Sequence, residues 1–238
     1  MDSVGHMNLV SFVPMEVRSQ VVHLRHRKRY SILRNAANGH DPVEVFDRLR
    51  CIFVHIPKTA GKSVKSALFD GRTKGGHRSA YELMCIFGPI TYYRYFRFAF
   101  VRNPYDRLAS AYYFLRNGGI NDKDRAFAEN HLYRYDNLHD FVMNWLDMDN
   151  IQIYHHFRPQ HQYIYTRRHR CLVDMIGRYE TLGHDFERIC NRLGIAASLP
   201  HHNKTSVYDQ QSCSYEPSSK RKIRDIYKLD FELLGYSY

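Results

Sequence analysis

The sequence predicts an α/β domain, a parallel sheet covered by helices on both faces, and three observations carry that expectation. Short, largely apolar runs alternate with amphipathic stretches along the chain. Two of those runs, Cys51–Ile56 and Phe96–Val101, lead directly into helix starts, at PKTAGKS and at Pro104. Beyond Gly119 the pattern is mainly helical. A chain of 238 residues with 44% hydrophobic content suits one fairly large domain with a sizeable core. Neither an internal repeat nor a low-complexity linker interrupts it, so residues 49–238 read as a single domain and 1–48 as a basic segment packed on it.

Taken in order, the chain starts loosely and then runs through a basic stretch from Val17 to Leu33, with Arg18, Arg25, Arg27, Lys28 and Arg29, that reads as a solvated surface helix. The first strand, Cys51–Ile56, ends at Pro57. From Ser63 a helix places Val64, Ala67 and Leu68 on one face, and Gly71, Gly75 and Gly76 mark the loop after it. Ser79 to Phe87 reads as a short helix, and Phe96–Val101 as the second strand. Pro104 opens a helix with Leu108, Ala111, Tyr112 and Leu115 inward, which Gly118 ends. Leu138, Phe141, Val142, Trp145 and Leu146 form a core stripe; 157–165 reads as a polar and aromatic loop, and Leu172 to Ile176 as a third strand. A helix with Leu182, Phe186, Ile189, Cys190 and Leu193 inward follows, then a loop at 199–208 and a closing helix from Lys220 to Leu234.

Charge narrows the partners without choosing one. The net charge of +11, with 15 histidines in reserve, implies an anionic partner such as a phosphorylated cofactor, an acidic polysaccharide, nucleic acid or an anionic membrane. Five scattered cysteines with no C-x-x-C pair point to neither a zinc site nor a disulfide framework. No apolar run approaches the roughly 20 residues of a membrane span, and the start lacks the order of a signal peptide. The chain therefore reads as cytosolic, or as a piece separated from its anchor.

The stretch PKTAGKS joins strand to helix and carries Lys58, Thr59, Gly61, Lys62 and Ser63. Amides of a helix start point outward with the positive dipole end, and two lysines add full charges, so the loop suits a phosphate or sulfate. Gly61, Lys62 and Ser63 match the tail of the nucleoside-triphosphate loop, but Ile56 stands where its first glycine belongs. The second strand ends not in a magnesium-holding aspartate but in Arg102, with Ser110 on the following helix. Arginine, helix start and serine together suit a second phosphate. Two anion sites without an evident magnesium carboxylate fit a nucleotide phosphorylated at two positions, and no metal is expected. A kinase remains the rival, with Asp70 and Asp106 as its nearest carboxylates. A noncatalytic binder of anionic glycans would explain the charge but not the two ordered motifs.

HIPKTAGKSV, GHRSAYE, FAFVRNPYDRLASAYYFLR, FRPQ, IGRYE, HHNKTS and IYKLDFELLGY, in this order, resemble the carbohydrate sulfotransferases that include the heparan sulfate 2-O- and chondroitin 4-O-sulfotransferases. The resemblance covers about residues 50–238. It implies a P-loop-like three-layer fold that binds 3′-phosphoadenosine 5′-phosphosulfate and transfers its sulfuryl group to a sugar hydroxyl of a glycan, not to nucleic acid. By the same resemblance Lys58, Thr59, Ala60, Gly61, Lys62, Ser63 and Val64 hold the 5′-phosphosulfate, with Lys58 also catalytic, and Arg102 and Ser110 hold the 3′-phosphate. His77 matches the family's catalytic base. Gly75 stands where the 2-O-sulfotransferases carry a further histidine. The family's members are usually anchored in the Golgi by a stem, so a soluble, bacterial and cytoplasmic relative is the simplest expectation and a Golgi enzyme without its anchor the alternative.

Chemistry points the same way. An alcohol attacking sulfur must lose its proton, and a histidine titrating near neutrality suits that task. His77 lies between the two anion motifs on a glycine-flanked loop. His55, within a strand, reads as structural, Glu82 and Asp106 as helix caps or partners of arginines such as Arg107, and His201, His202 and Lys204 as further acceptor or donor contacts.

Overall fold

The computed structural model of the protein describes residues 13–34, 44–69, 76–200 and 215–238. Asp70, Gly75, His201, His202 and Lys204 lie outside the described residues, as does Cys213. In chain order come α1 (Met15–Arg25), α2 (Arg27–Arg34), α3 (Glu44–Leu49), β1 (Cys51–Val54), α4 (Gly61–Phe69), α5 (Ala80–Phe87), α6 (Pro89–Arg94) and β2 (Phe96–Val101). Then follow α7 (Pro104–Arg116), α8 (Asp122–His131), α9 (Leu138–Asn144), α10 (Asn150–Ile153), α11 (His161–Ile164), β3 (Met175–Arg178), α12 (Leu182–Leu193), α13 (Pro217–Ile226) and α14 (Lys228–Leu234).

The three strands form one parallel sheet in the order β1-β2-β3. Strands β1 and β2 are apolar almost throughout because the sheet is flanked by helices and leaves their side chains no wet face. Cys51 pairs with Phe96 and Phe98 with Met175, so β2 and β3 end level, at Val101 and Arg178, followed by Arg102 and Tyr179, while β1 ends two residues lower, at Val54 opposite Ala99, followed by His55. Ligands of open parallel sheets bind at this carboxyl edge.

The third strand begins at Met175 and not at Leu172. Leu172 donates its amide to Ile164, next to an antiparallel bridge between Tyr165 and Cys171, and the ladder with β2 starts only opposite Phe98. Gly177 sits opposite Phe100, where a Cβ would come within 2.5 Å of the ring, so the strand needs glycine there. The stretch 157–165, expected as loop, contains α11, because buried Asp230 accepts the amides of Gln160 and His161 at 2.7 and 2.8 Å. The closing helix is two helices broken at Tyr227, whose hydroxyl bonds the Phe157 carbonyl at 2.6 Å.

Apolar side chains gather in two cores. One surrounds the sheet and takes in Val64, Leu83, Phe98 and Phe186; the other joins α7, α8, α9 and the closing helices around Trp145, Phe141 and Phe157. The predicted stripe on α9 thus lies in the core as expected. Cys51, Cys85, Cys171 and Cys190 are free thiols, and burial pushes Cys51 up to about 12. No described helix is long and apolar enough to cross a membrane.

Candidate active site

The first wall of the site is the turn from β1 into α4. Lys58 and Ala60 both adopt left-handed backbone, with φ of 69° and 63°, a conformation that costs a non-glycine residue about 1 kcal/mol or more. Thr59 between them is buried and ties the turn down by donating its hydroxyl to the Ile56 carbonyl at 2.9 Å. Gly61, expected to give a ligand close approach, has a different reason to be glycine. A Cβ there would lie 1.9 Å from the His55 imidazole, so the helix start and that ring exclude any larger residue. The first-turn amides of Gly61, Lys62 and Ser63 have no acceptor within the helix. Val64 offers nothing further, since its amide bonds the Ala60 carbonyl at 3.2 Å and its side chain is core. The Lys58 ammonium lies 4.0 Å from the centre of the Phe114 ring on α7, and Lys62 is exposed.

The second wall is the junction of β2 and α7. Arg102 is buried with its guanidinium 4.1 Å from the centre of the Tyr179 ring, and its backbone is held in both directions by the Gln160 amide, at 2.9 and 2.8 Å. Asn103 caps α7 through the Tyr105 amide at 3.0 Å, with Pro104 in the first turn. Ser110 is half-buried about 9 Å further along the helix by its rise per residue, so a group held by both Arg102 and Ser110 would lie along α7.

Arg107, which the sequence offered only as a partner for carboxylates, clamps these walls together. Its buried guanidinium donates to the carbonyls of Pro57 at 3.4 Å, His156 at 3.0 Å and Arg158 at 2.6 Å. Glu82 is taken up elsewhere, closing a capping box with Ser79 at the start of α5.

The third wall is a cluster of four imidazoles. His77 faces the His55 ring at 4.3 Å and stacks on His155 at 4.7 Å, while His155 and His156 lie 4.2 Å apart. Only one of them, His77, was picked out from the sequence as a reacting group. His55 is not strictly in the strand but one residue past it, against His77. The adjacent pair His155 and His156, directly before FRPQ, was the overlooked signal. His77 Nδ1 lies 3.1 Å from the His55 carbonyl oxygen, which can only accept, so Nδ1 carries the proton and Nε2 the lone pair.

Burial, followed by the neighbouring His155, lowers the His77 pKa to about 3; it holds His55 and His156 well below the usual histidine range, and His155 below it. The expected histidine titrating near neutrality is therefore corrected: His77 is neutral throughout the physiological range. Buried Asp124, which accepts the Tyr154 hydroxyl and the Ile120 amide, pulls His77 and His155 back upward but does not outweigh desolvation. Among the described residues no group of three or more histidines, cysteines or carboxylates is arranged to hold a metal.

Motifs distant in sequence lock onto this edge. Glu180 accepts the Asn103 amide at 2.6 Å and the Tyr236 hydroxyl at 2.9 Å, and Arg178 bonds the carbonyls of Leu234 and Gly235. Asp230 holds Gln160, which in turn holds Arg102. FRPQ, IGRYE and the closing helix are thus the frame of the β2–α7 junction.

A parallel sheet with a basic strand-to-helix turn and an arginine at the next strand end is an α/β arrangement of the kind that takes ligands at the carboxyl ends of its strands, and comparison with known proteins gives its family. The family model described as "Sulfotransferase family" matches residues 41–237, so the chain belongs to that family. Its relatives are carbohydrate sulfotransferases. Rat carbohydrate sulfotransferase 11 is 27% identical over 170 residues, covering 60% of this chain and 47% of the rat protein. Human carbohydrate sulfotransferase 14 is 26% identical over 229 residues, covering 81% of this chain and 59% of the human protein, and the zebrafish protein of the same name matches at 26%. The chain thus spans about half the length of these relatives, all from vertebrates, which lend no support to a bacterial origin. No solved structure matches the chain significantly.

Proposed function

We propose that the protein transfers the sulfuryl group of 3′-phosphoadenosine 5′-phosphosulfate to a hydroxyl of a carbohydrate acceptor. One observation carries the reading: His77 donates Nδ1–H to the carbonyl of His55, three residues before Lys58, and so keeps Nε2 as its one basic nitrogen. Nε2 takes the acceptor's hydroxyl proton as the new O–S bond forms and the bond from sulfur to the leaving phosphate breaks. Lys58 and the first-turn amides of α4 face the charge that grows on that phosphate, and Arg102 with Ser110 holds the phosphate on the ribose. Burial keeps Nε2 unprotonated, and the negative charge of a bound polyanion would raise its basicity.

The test is thermal stabilisation, since a ligand selective for the folded state raises the melting temperature. Adenosine 3′,5′-bisphosphate is expected to stabilise the protein without metal, and ATP with magnesium to do little. Equal stabilisation by both, or a strict magnesium requirement, overturns the reading in favour of a kinase.

A further inference from the structure

The sheet has a second charged end. A cavity of about 720 Å³ opens at the amino ends of all three strands, lined by Arg50 just before β1, Phe96 at the start of β2 and Asp174 just before β3. Its volume is that of a small-ligand site. The cradle lies at the other end of the same strands, at least about 13 Å away for a strand of four residues.

Five arginines converge on this cavity: Arg50, Arg94, Arg97, Arg188 and Arg192. Arg97 is neutralised by Asp174, which it meets through both Nε and Nη2, and Arg188 reaches Asp185 at 3.2 Å. Arg50, Arg94 and Arg192 have no ion-pair partner among the described residues. Arg94 and Arg192 stand in the last turns of α6 and α12, where a cation is favoured by the helix dipole. That explains neither their convergence on one cavity nor Arg50. Arg50 has a φ of 48° just after α3, where glycine is the relaxed choice, so an arginine is held there against its backbone preference. Tyr93 and Phe96 also line the cavity and seat arginines, Arg97 lying 4.9 Å from the centre of the Tyr93 ring and Arg192 6.0 Å from that of Phe96.

We propose that this cavity binds an acidic oligosaccharide, with sulfate or carboxylate groups on Arg50, Arg94 and Arg192. Guanidinium groups pair with such anions through two parallel hydrogen bonds, and three exposed arginines around one cavity suit a ligand with more than one anionic group. The site would hold a part of the glycan remote from the reacting hydroxyl. The choice of a glycan rests on the carbohydrate reading above; the anion site rests on the arginines alone.

The experiment measures binding of a heparin-derived decasaccharide by titration calorimetry, with the cradle saturated by adenosine 3′,5′-bisphosphate. The variant Arg50→Gly/Arg94→Gln/Arg192→Gln is expected to bind the decasaccharide at least tenfold more weakly, with a flatter salt dependence, while its affinity for adenosine 3′,5′-bisphosphate is unchanged. Arg50→Gly alone relieves the left-handed backbone, so weaker decasaccharide binding at an unlowered melting temperature separates lost contact from lost fold. Wild-type binding by the triple variant overturns the proposal. Phosphatidylserine vesicles bound as tightly as the decasaccharide, and lost in the same variant, overturn the glycan as occupant. Failure of adenosine 3′,5′-bisphosphate to bind the wild type, with decasaccharide binding still dependent on the three arginines, defeats the transferase reading and leaves this site standing.

Discussion

Lowering the pH from 7 to 5 should destabilise the fold through His77, and by an amount its surroundings set. In the folded chain burial depresses its pKa from 6.5 to about 3. Between those values the unfolded chain binds a proton that the folded one refuses, so stability is full above pH 6.5 and falls as the pH drops toward 3. Each pH unit in that window is worth about 1.4 kcal/mol, so His77 alone accounts for about 2 kcal/mol at pH 5. His55 and His156 shift in the same direction and steepen the loss. A domain of this kind holds only about 5–15 kcal/mol in total, so the effect is large. The comparison is urea unfolding of the wild type and of His77→Gln at both pH values; glutamine can still donate to the His55 carbonyl and does not titrate. The wild type should lose about 2 kcal/mol more than the variant between pH 7 and pH 5. Identical losses would show that His77 titrates normally and that the cluster is open to water.

Three further outcomes test the site. His77→Ala should bind adenosine 3′,5′-bisphosphate normally yet turn over at least about a hundredfold more slowly on a verified acceptor, the usual worth of a positioned base; near-normal turnover assigns the proton to another group. Lys58→Ala should lower kcat more than nucleotide affinity, whereas Arg102→Ala should weaken adenosine 3′,5′-bisphosphate binding by about 2 kcal/mol in calorimetry; unchanged affinity in the latter would move the 3′-phosphate elsewhere. Arg107→Met, which fills the space but leaves the carbonyls of Pro57, His156 and Arg158 without their donor, should cost about 3 kcal/mol or more in urea unfolding, and a neutral result would mean that water replaces the guanidinium.

The sequence alone determined the parts whose physics is local. Strands β1 and β2, the start of α7 at Pro104 and the strand-to-helix turn between Pro57 and Ser63 follow from apolar runs and from proline and glycine placement, which act within a few residues of themselves. Ser79 and Glu82 form the N-terminal cap of α5 by the same logic. What needed the tertiary structure was every feature set by a partner far along the chain. The start of β3 is fixed by Phe98, not by the apolar run that precedes it. Gly61 is glycine because of the His55 ring above it, and Arg107 faces carbonyls about fifty residues away on either side. The protonation of His77 was illegible for the same reason. A histidine's pKa is decided by how much water its neighbours exclude, and the neighbours that exclude it, His55, His155 and His156, are brought together only when the strand end, the α5 start and the loop before α11 meet at one edge of the sheet.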